Sequence, residues 1–423
     1  MEAGLSLRAE KTLEDLLPAI AAGAPPRQYD ATTAVDLSSA QNEVLRPELV
    51  RLLQSTVEDK ITSKVFALPA SNGGDAQLRE ALASFFNNHF HPIHPVKSAH
   101  IAITAGATDA IENVIHAVCD DGDSVLVPGP SWHGFMPMLK SRSNVNIVVA
   151  QPPAYDNWDN YLAASLQAVY DFSADRSRIK AVLLCNPHNP LSRCYSKKSL
   201  LEVMEFCQEH GLHLIVDEIY ALTDLNTAPA KASPFVSALS LTEPLVPEGA
   251  VKVDPSRVHV VWSASKLFGM SGFRVGCIIS QQNPSLLTLM SLLTEYHVSV
   301  MVSTYVTTLL TWSQLPTLLK LNSDRLTTSC QLLTNSLAKW NIEFITPSHG
   351  VFVFAKLAKC AKSAADEEKF YDKLAKAGVR VGEGRLYKGV EGEYGWARIC
   401  FSLPVDVLQT ALGRIEGVLA EGA

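Results

Sequence analysis

Short runs of aliphatic and β-branched residues recur through the middle of the chain, and most are apolar at consecutive rather than alternate positions. They predict strands at 99–106 (AHIAITAG), 123–129, 144–150, 179–186, 212–218, 258–264 and 273–280. Between several of them apolar residues return every three to four positions, which predicts helices at 107–121, 197–211 and 283–297. Strands apolar on both faces must be covered on both sides, and intervening helices provide that cover in a mostly parallel, seven-stranded α/β sheet. The pattern changes at the two ends. Residues 1–50 read as one helix and a loop, AAGAPPRQYD; beyond about 300 come a long helical segment, two strands (VFVFAKLA and WARICFSL) and a closing helix. The organisation expected is a large domain at 51–300 and a small α+β domain built from 1–50 and 301–423, with a site in the cleft between. The Pro- and Ser-rich stretch 227–249 reads as an irregular excursion over the surface.

Composition narrows the function more than the fold. The 423 residues are 47% hydrophobic and carry a net charge of −7, so no basic field invites nucleic acid or an anionic membrane. No apolar stretch reaches the roughly 20 residues that span a bilayer. The first 20 residues contain acids and no continuous apolar segment, unlike a secretory signal. Eight scattered cysteines without a CxxC pair suggest reduced core thiols. A cytoplasmic protein acting on a small molecule is expected.

The chemistry is concentrated in SASKLFGMSGFR (263–274). A surface lysine needs no such neighbours. A lysine that condenses with a cofactor aldehyde needs a depressed pKa and an anchored cofactor beside it. Ser263 and Ser265 can donate to a phosphate, Arg274 can hold one with its fork, and Gly269 and Gly272 allow a tight turn between. The segment therefore points to Lys266 tethered to pyridoxal phosphate. Other stretches supply what that cofactor requires. LHLIVDEIY ends an apolar strand on Asp217, where an acid could keep the pyridine nitrogen protonated, and Tyr220 follows within reach of the ring's phenolic oxygen. Asn189, in CNPHNPLS, can reach the same oxygen. In AITAGATDAIENV a strand, a glycine and a helix start place Ala107 and Thr108 at a phosphate cradle; an ordinary capped turn reads the same way. Trp132 follows a strand and could stack on the ring, or sit in the core. Arg398 inside the strand GWARICFS needs an anion, and an α-carboxylate fits its planar fork. HFHPIHP (89–95) reads as a surface loop, and no metal is expected.

Together DEIY, SASK with its downstream GFRVG, the NP pair and GWARICF resemble, in order, the class I/II aminotransferase family of fold type I pyridoxal-phosphate enzymes. The branch most similar is that of 1-aminocyclopropane-1-carboxylate (ACC) synthase, and the likeness runs from about 36 to 405. The resemblance implies Lys266, Asp217 and Tyr220 as catalytic residues. It puts the cofactor against Ala107, Thr108, Trp132, Asn189, Ser263, Ser265 and Arg274, and the amino-acid substrate against Arg398, Asn189 and Gln41. It further implies a homodimer sharing sites across its interface, with Ser303 or Thr304 serving a neighbour's phosphate. Two positions depart from ACC synthases: Gln41 stands where they carry a glutamate, and Asn72 where they carry a tyrosine; Ser192 also replaces a glycine. With the cofactor side intact and the substrate side changed, the expected reaction is carbon–sulfur β-elimination from a cysteine conjugate in secondary metabolism. Transamination is the alternative, and ACC synthesis the third.

Overall fold

The computed structural model describes residues 4–21, 33–69, 72–156, 158–227, 229–241 and 254–421. Most of the loop AAGAPPRQYD and the second half of the 227–249 excursion lie outside these. All seven predicted strands form. They are β2 (Ile101–Thr104), β3 (Ser124–Pro128), β4 (Asn146–Ala150), β5 (Ile179–Cys185), β6 (His213–Asp217), β7 (Val258–Ser263) and β8 (Gly276–Ile279), following a short β1 (Val35–Leu37). They pair in the order β2-β8-β7-β6-β5-β3-β4. The pairings from β4 through β7 are parallel, and β8 runs antiparallel to both neighbours. The reading of a mostly parallel sheet therefore holds. β5, β6 and β7 are buried along nearly their whole length, as strands covered on both faces should be.

A second sheet draws on both ends of the chain. β1 pairs in parallel with β11 (Val379–Glu383), and β12 (Ala397–Cys400), β10 (Phe352–Ala355) and β9 (Phe344–Ile345) complete the order β1-β11-β12-β10-β9. Its core holds fully buried Phe352, Phe354 and Phe401. Some expectations shift in detail. The strand expected at 273–280 begins only at Gly276, because Ser271–Phe273 form a 3₁₀ turn and Arg274 takes a left-handed conformation, φ 51°. The long helical segment is two helices, Val300–Leu310 and Leu315–Lys339; Pro316 opens the second, where a missing N–H costs nothing. Helices at Arg46–Lys60, Ala76–His89, Phe135–Ser143, Leu162–Asp171 and Ala364–Lys376 had no counterpart in the sequence reading. All eight cysteines are free, seven of them buried or half-buried. Among the described residues no helix is long and apolar enough to cross a membrane.

Candidate active site

Parallel strands end together, so the C-terminal ends of β5, β6 and β7 bring their last residues to one edge. Cys185 pairs in register with Asp217, and Asp217 with Val261, three residues before the Lys266 helix begins. The second sheet faces this edge with Arg398, which pairs with Phe354 on one side and Gly382 on the other. Between them lies a cleft of about 1120 Å³.

Lys266 reaches the cleft from a four-residue helix, Ala264–Leu267, whose amide at Ser265 is capped by the Ser263 hydroxyl. Its Nζ donates to the carbonyl of Ala40, 2.7 Å away. Burial pulls its pKa down to about 8, and the charge of Arg398 adds to the effect. Asp217, 6% exposed, is driven the other way by burial, up to about 7, although the Ile219 N–H donates to it at 3.2 Å and Lys266 is near. The following Glu218 is fully buried and also pushed up, to about 8; the Ser237 hydroxyl and Ala238 N–H each donate to it at 2.7 Å. These bonds pin the loop beneath Asp217.

The turn into the Ala107–Val118 helix is built for a phosphate. Gly106 sits at φ 92° with no side-chain cap, which leaves the amides of the first turn facing the cleft. A Cβ there would lie 2.9 Å from Arg274 Nη2, which itself donates to Ala105 O at 2.8 Å. Ala107, Thr108, Ser265 and Arg274 line this end, together with Ser271, which the sequence reading missed. Ser263 does not line it. It is fully buried, and its hydroxyl oxygen accepts the Ser265 N–H as a helix cap, which leaves the O–H proton available to donate. Gly269 is required: at φ 65° a Cβ would strike the Asn42 carbonyl at 1.8 Å. Gly272 meets nothing within 4 Å and has no such requirement.

Tyr220 and Asn189 line the middle of the cleft, and Trp132 stands at its wall with Phe135 edge-on at 5.3 Å. Arg398 is 4% exposed; its Nη1 donates to Asn189 Oδ1 at 2.9 Å and its Nη2 to Ser38 O, while Nε has no partner among the described residues. The Asn189 carbonyl is thus occupied, and its amide nitrogen is the group left for a ligand. Gln41 lines the cleft with its amide oxygen accepting from Arg46 at 3.2 Å. Ser303 and Thr304 do not line this chain's cleft. The first is buried in its helix and the second returns its hydroxyl to Val300 O at 2.8 Å. Asn72 is exposed.

The sequence reading also missed His133 and Tyr387. Both line the cleft, ring centroids 5.6 Å apart, and the Tyr387 ring lies 5.3 Å from the Arg398 guanidinium. Tyr387 is wholly buried, yet its hydroxyl has no partner among the described residues. Only the aromatic in the glycine-rich run GEGRLYKG could have signalled it.

Does this set fit pyridoxal phosphate? A buried acid poised near neutrality would be met by a protonated pyridine nitrogen. Uncapped amides with two serines and an arginine would be met by the phosphate, and a depressed lysine by the aldehyde. The residues fit it.

Comparison with other proteins points the same way. Residues 33–415 match the description "aminotransferase class I and II". The chain is 36% identical over 421 residues to the probable aminotransferase aclI of Aspergillus oryzae, covering 99% of each. It is 29% identical over 335 residues to ACC synthase 6 of rice, covering 78% of this chain and 59% of that one. Among solved structures, the aromatic aminotransferase of Pyrococcus horikoshii superposes with a TM-score of 0.76 at 20% identity, over 97% of this chain and 99% of the other.

Proposed function

Taking as premise that the chain belongs to the class I and II aminotransferases, pyridoxal-phosphate enzymes of fold type I, we propose that it is a carbon–sulfur β-lyase acting on a cysteine conjugate. The observation that carries this reading is the charge on the substrate side of the cleft. Gln41 is neutral, and the far wall bears Arg380, Arg385 and Lys388; Glu383 pairs with Arg385 at 3.2 Å and Asp36 lies near Arg380, so the cations outnumber the acids. A cationic sulfonium substrate, which ACC synthesis requires, would meet repulsion there. A neutral thioether with an anionic carboxylate would not.

Bound pyridoxal phosphate supplies the sink for the electron pair left when the Cα–H bond breaks. The remaining work belongs to the chain. Arg398 holds the α-carboxylate through its fork, stiffened by Asn189 and the Ser38 carbonyl. Lys266 takes the Cα proton on Nζ; with its pKa near 8 the free amine is accessible close to neutrality. Asp217 would stabilise a proton on the pyridine nitrogen, while Tyr220 and the Asn189 amide would hold the phenolic oxygen. Trp132 would offer its face to the ring, and Ala107, Thr108, Ser265 and Arg274 would hold the phosphate. The Cβ–S bond then breaks with its electrons leaving on sulfur as thiolate, and the three-carbon remainder takes up water to give pyruvate and ammonia.

In this reading residues 51–300 form the cofactor domain, and 1–50 with 301–423 form the part that brings Arg398 over it. The protein acts in the cytoplasm as a homodimer, for which exposed Phe66, Leu68, Leu292 and Tyr296 are suitable contact residues. Transamination is a second reading, favoured by relatives named as aminotransferases and by the same cations, which could hold a dicarboxylic 2-oxo acid. The test is to incubate holoenzyme with S-benzylcysteine, with and without 2-oxoglutarate. Thiol, pyruvate and ammonia in equal amounts without the oxo acid support the lyase. Glutamate appearing only with 2-oxoglutarate defeats it.

A further inference from the structure

The cleft does not stop at the cofactor machinery. Past Trp132 it runs between the first turn of the Phe135–Ser143 helix, the edge strand β4 and the Gly384–Tyr387 turn. This far part is lined by Leu16, Met136, Pro137, Ile147, Val149 and Leu386, all half-buried. Ile147 and Val149 are two apart on β4, so they share one face. Val149 packs close to Gly129, which also approaches the Lys388 carbonyl, closing the chamber against the second sheet's loop. Leu16 comes from the Leu7–Ala21 helix, which packs on the Phe135–Ser143 helix and is tied to it by Asp15 and Lys140, 3.3 Å apart.

Three features mark this chamber as a binding surface. Ile147 and Val149 lie on one face of β4, line the cleft and stay only half-buried, so apolar surface is left there for a ligand to cover. The cleft of about 1120 Å³ runs without a break from Lys266 and Arg398 to this apolar lining. And where the chamber meets the catalytic half it is bounded by the rings of His133 and Tyr387, 5.6 Å apart.

We propose that this chamber binds a bulky apolar arm, aromatic or polycyclic, carried on the substrate's sulfur. The inference rests on the reading of the site as one for S-substituted cysteines. It makes Leu16, Ile147 and Val149 specificity residues, set apart from the groups that perform the chemistry.

Binding can be measured apart from turnover. α-Methylcysteines have no α-proton, so neither elimination nor transamination follows their binding. Holoenzyme would be titrated with the S-methyl, S-benzyl and S-naphthylmethyl compounds, read by the cofactor's absorbance change and by calorimetry. Affinity should tighten at least tenfold from the methyl to the naphthylmethyl compound. Ile147→Asn should remove that gain and leave S-methyl binding unchanged. Leu16→Ser, at an exposed helix, gives the same test should the strand variant fail to fold. Equal affinity across the series, or equal loss for every compound in either variant, overturns the proposal. Failure to release thiol from S-benzylcysteine would defeat the lyase reading and leave the binding series to be judged alone.

Discussion

The two ends of the large sheet bury titratable groups equally well and use them in opposite ways. At the N-terminal end, His213 opens β6 and His259 lies second in β7. Their rings stack at 5.3 Å, His213 Nδ1 and His259 Nε2 share a hydrogen bond of 3.0 Å, and His259 Nδ1 meets the Ser280 hydroxyl at 3.0 Å. Burial lowers their pKa values to about 4 and about 3, which keeps both neutral. The bonds run from His213 through His259 to Ser280, and none of these three lines the cleft. Four residues along the same strand, Asp217 is as deeply buried and as strongly perturbed, but it opens on a cleft with Lys266 and an unpartnered Arg398 nitrogen. A perturbed pKa alone therefore does not mark a site; perturbation beside unmet hydrogen-bonding capacity does.

The comparison can be broken by substitution at either end. Asp217→Asn removes the charge that fits a protonated ring nitrogen, and kcat/KM for any amino-acid reaction should fall by about 10²-fold or more, in the range seen when one preorganised electrostatic contact is lost. A fall of less than about fivefold would mean that the acid is structural. His259→Gln at the opposite end should cost about 1–3 kcal/mol of stability, because it leaves buried partners unmet, while kcat/KM stays within about twofold. Thermal unfolding and steady-state rates on one preparation decide both.

These two ends of the sheet were unequally legible in the sequence. Lys266, Asp217, Asn189 and Arg398 could be read because each lies in a compact run whose neighbours make sense only together. The seven strands could be read because strands covered on both faces are nearly continuous apolar runs. Tyr387 and His133 could not, because a tyrosine in a glycine-rich loop and a histidine after a tryptophan acquire meaning only when the two sheets meet. The cap made by Ser263 was illegible for a related reason: a serine suits a phosphate or a helix cap by residue type, and only the structure shows its oxygen accepting the Ser265 amide. The helix Arg46–Lys60 was passed over because its apolar face is narrow, with only Leu49, Leu52 and Thr56 buried.

A smaller effect sharpens the contrast through pH. Burial raises the folded-state pKa values of Glu218 and Asp217 to about 8 and about 7, well above the ordinary carboxyl range. Their stabilisation is complete at low pH and is lost as pH rises through those folded values. The two histidines have lowered values, so they contribute in the opposite sense and only below about 6.5, their ordinary value. Between pH 6.5 and 8 the carboxyls alone act, and the melting temperature of apoenzyme should decline. Glu218→Gln should flatten that decline. Adding pyridoxal phosphate should also flatten it, since a pyridinium proton favours ionised Asp217. Identical slopes in all three preparations would contradict the assignment.

The most direct measurement is to reduce the holoenzyme with borohydride, digest it and locate the pyridoxyl group by mass spectrometry. The account predicts the group on the peptide that contains Lys266, and its absence from that peptide in Lys266→Ala. A pyridoxyl group on any other lysine, or none in a preparation that retains the cofactor, would contradict it.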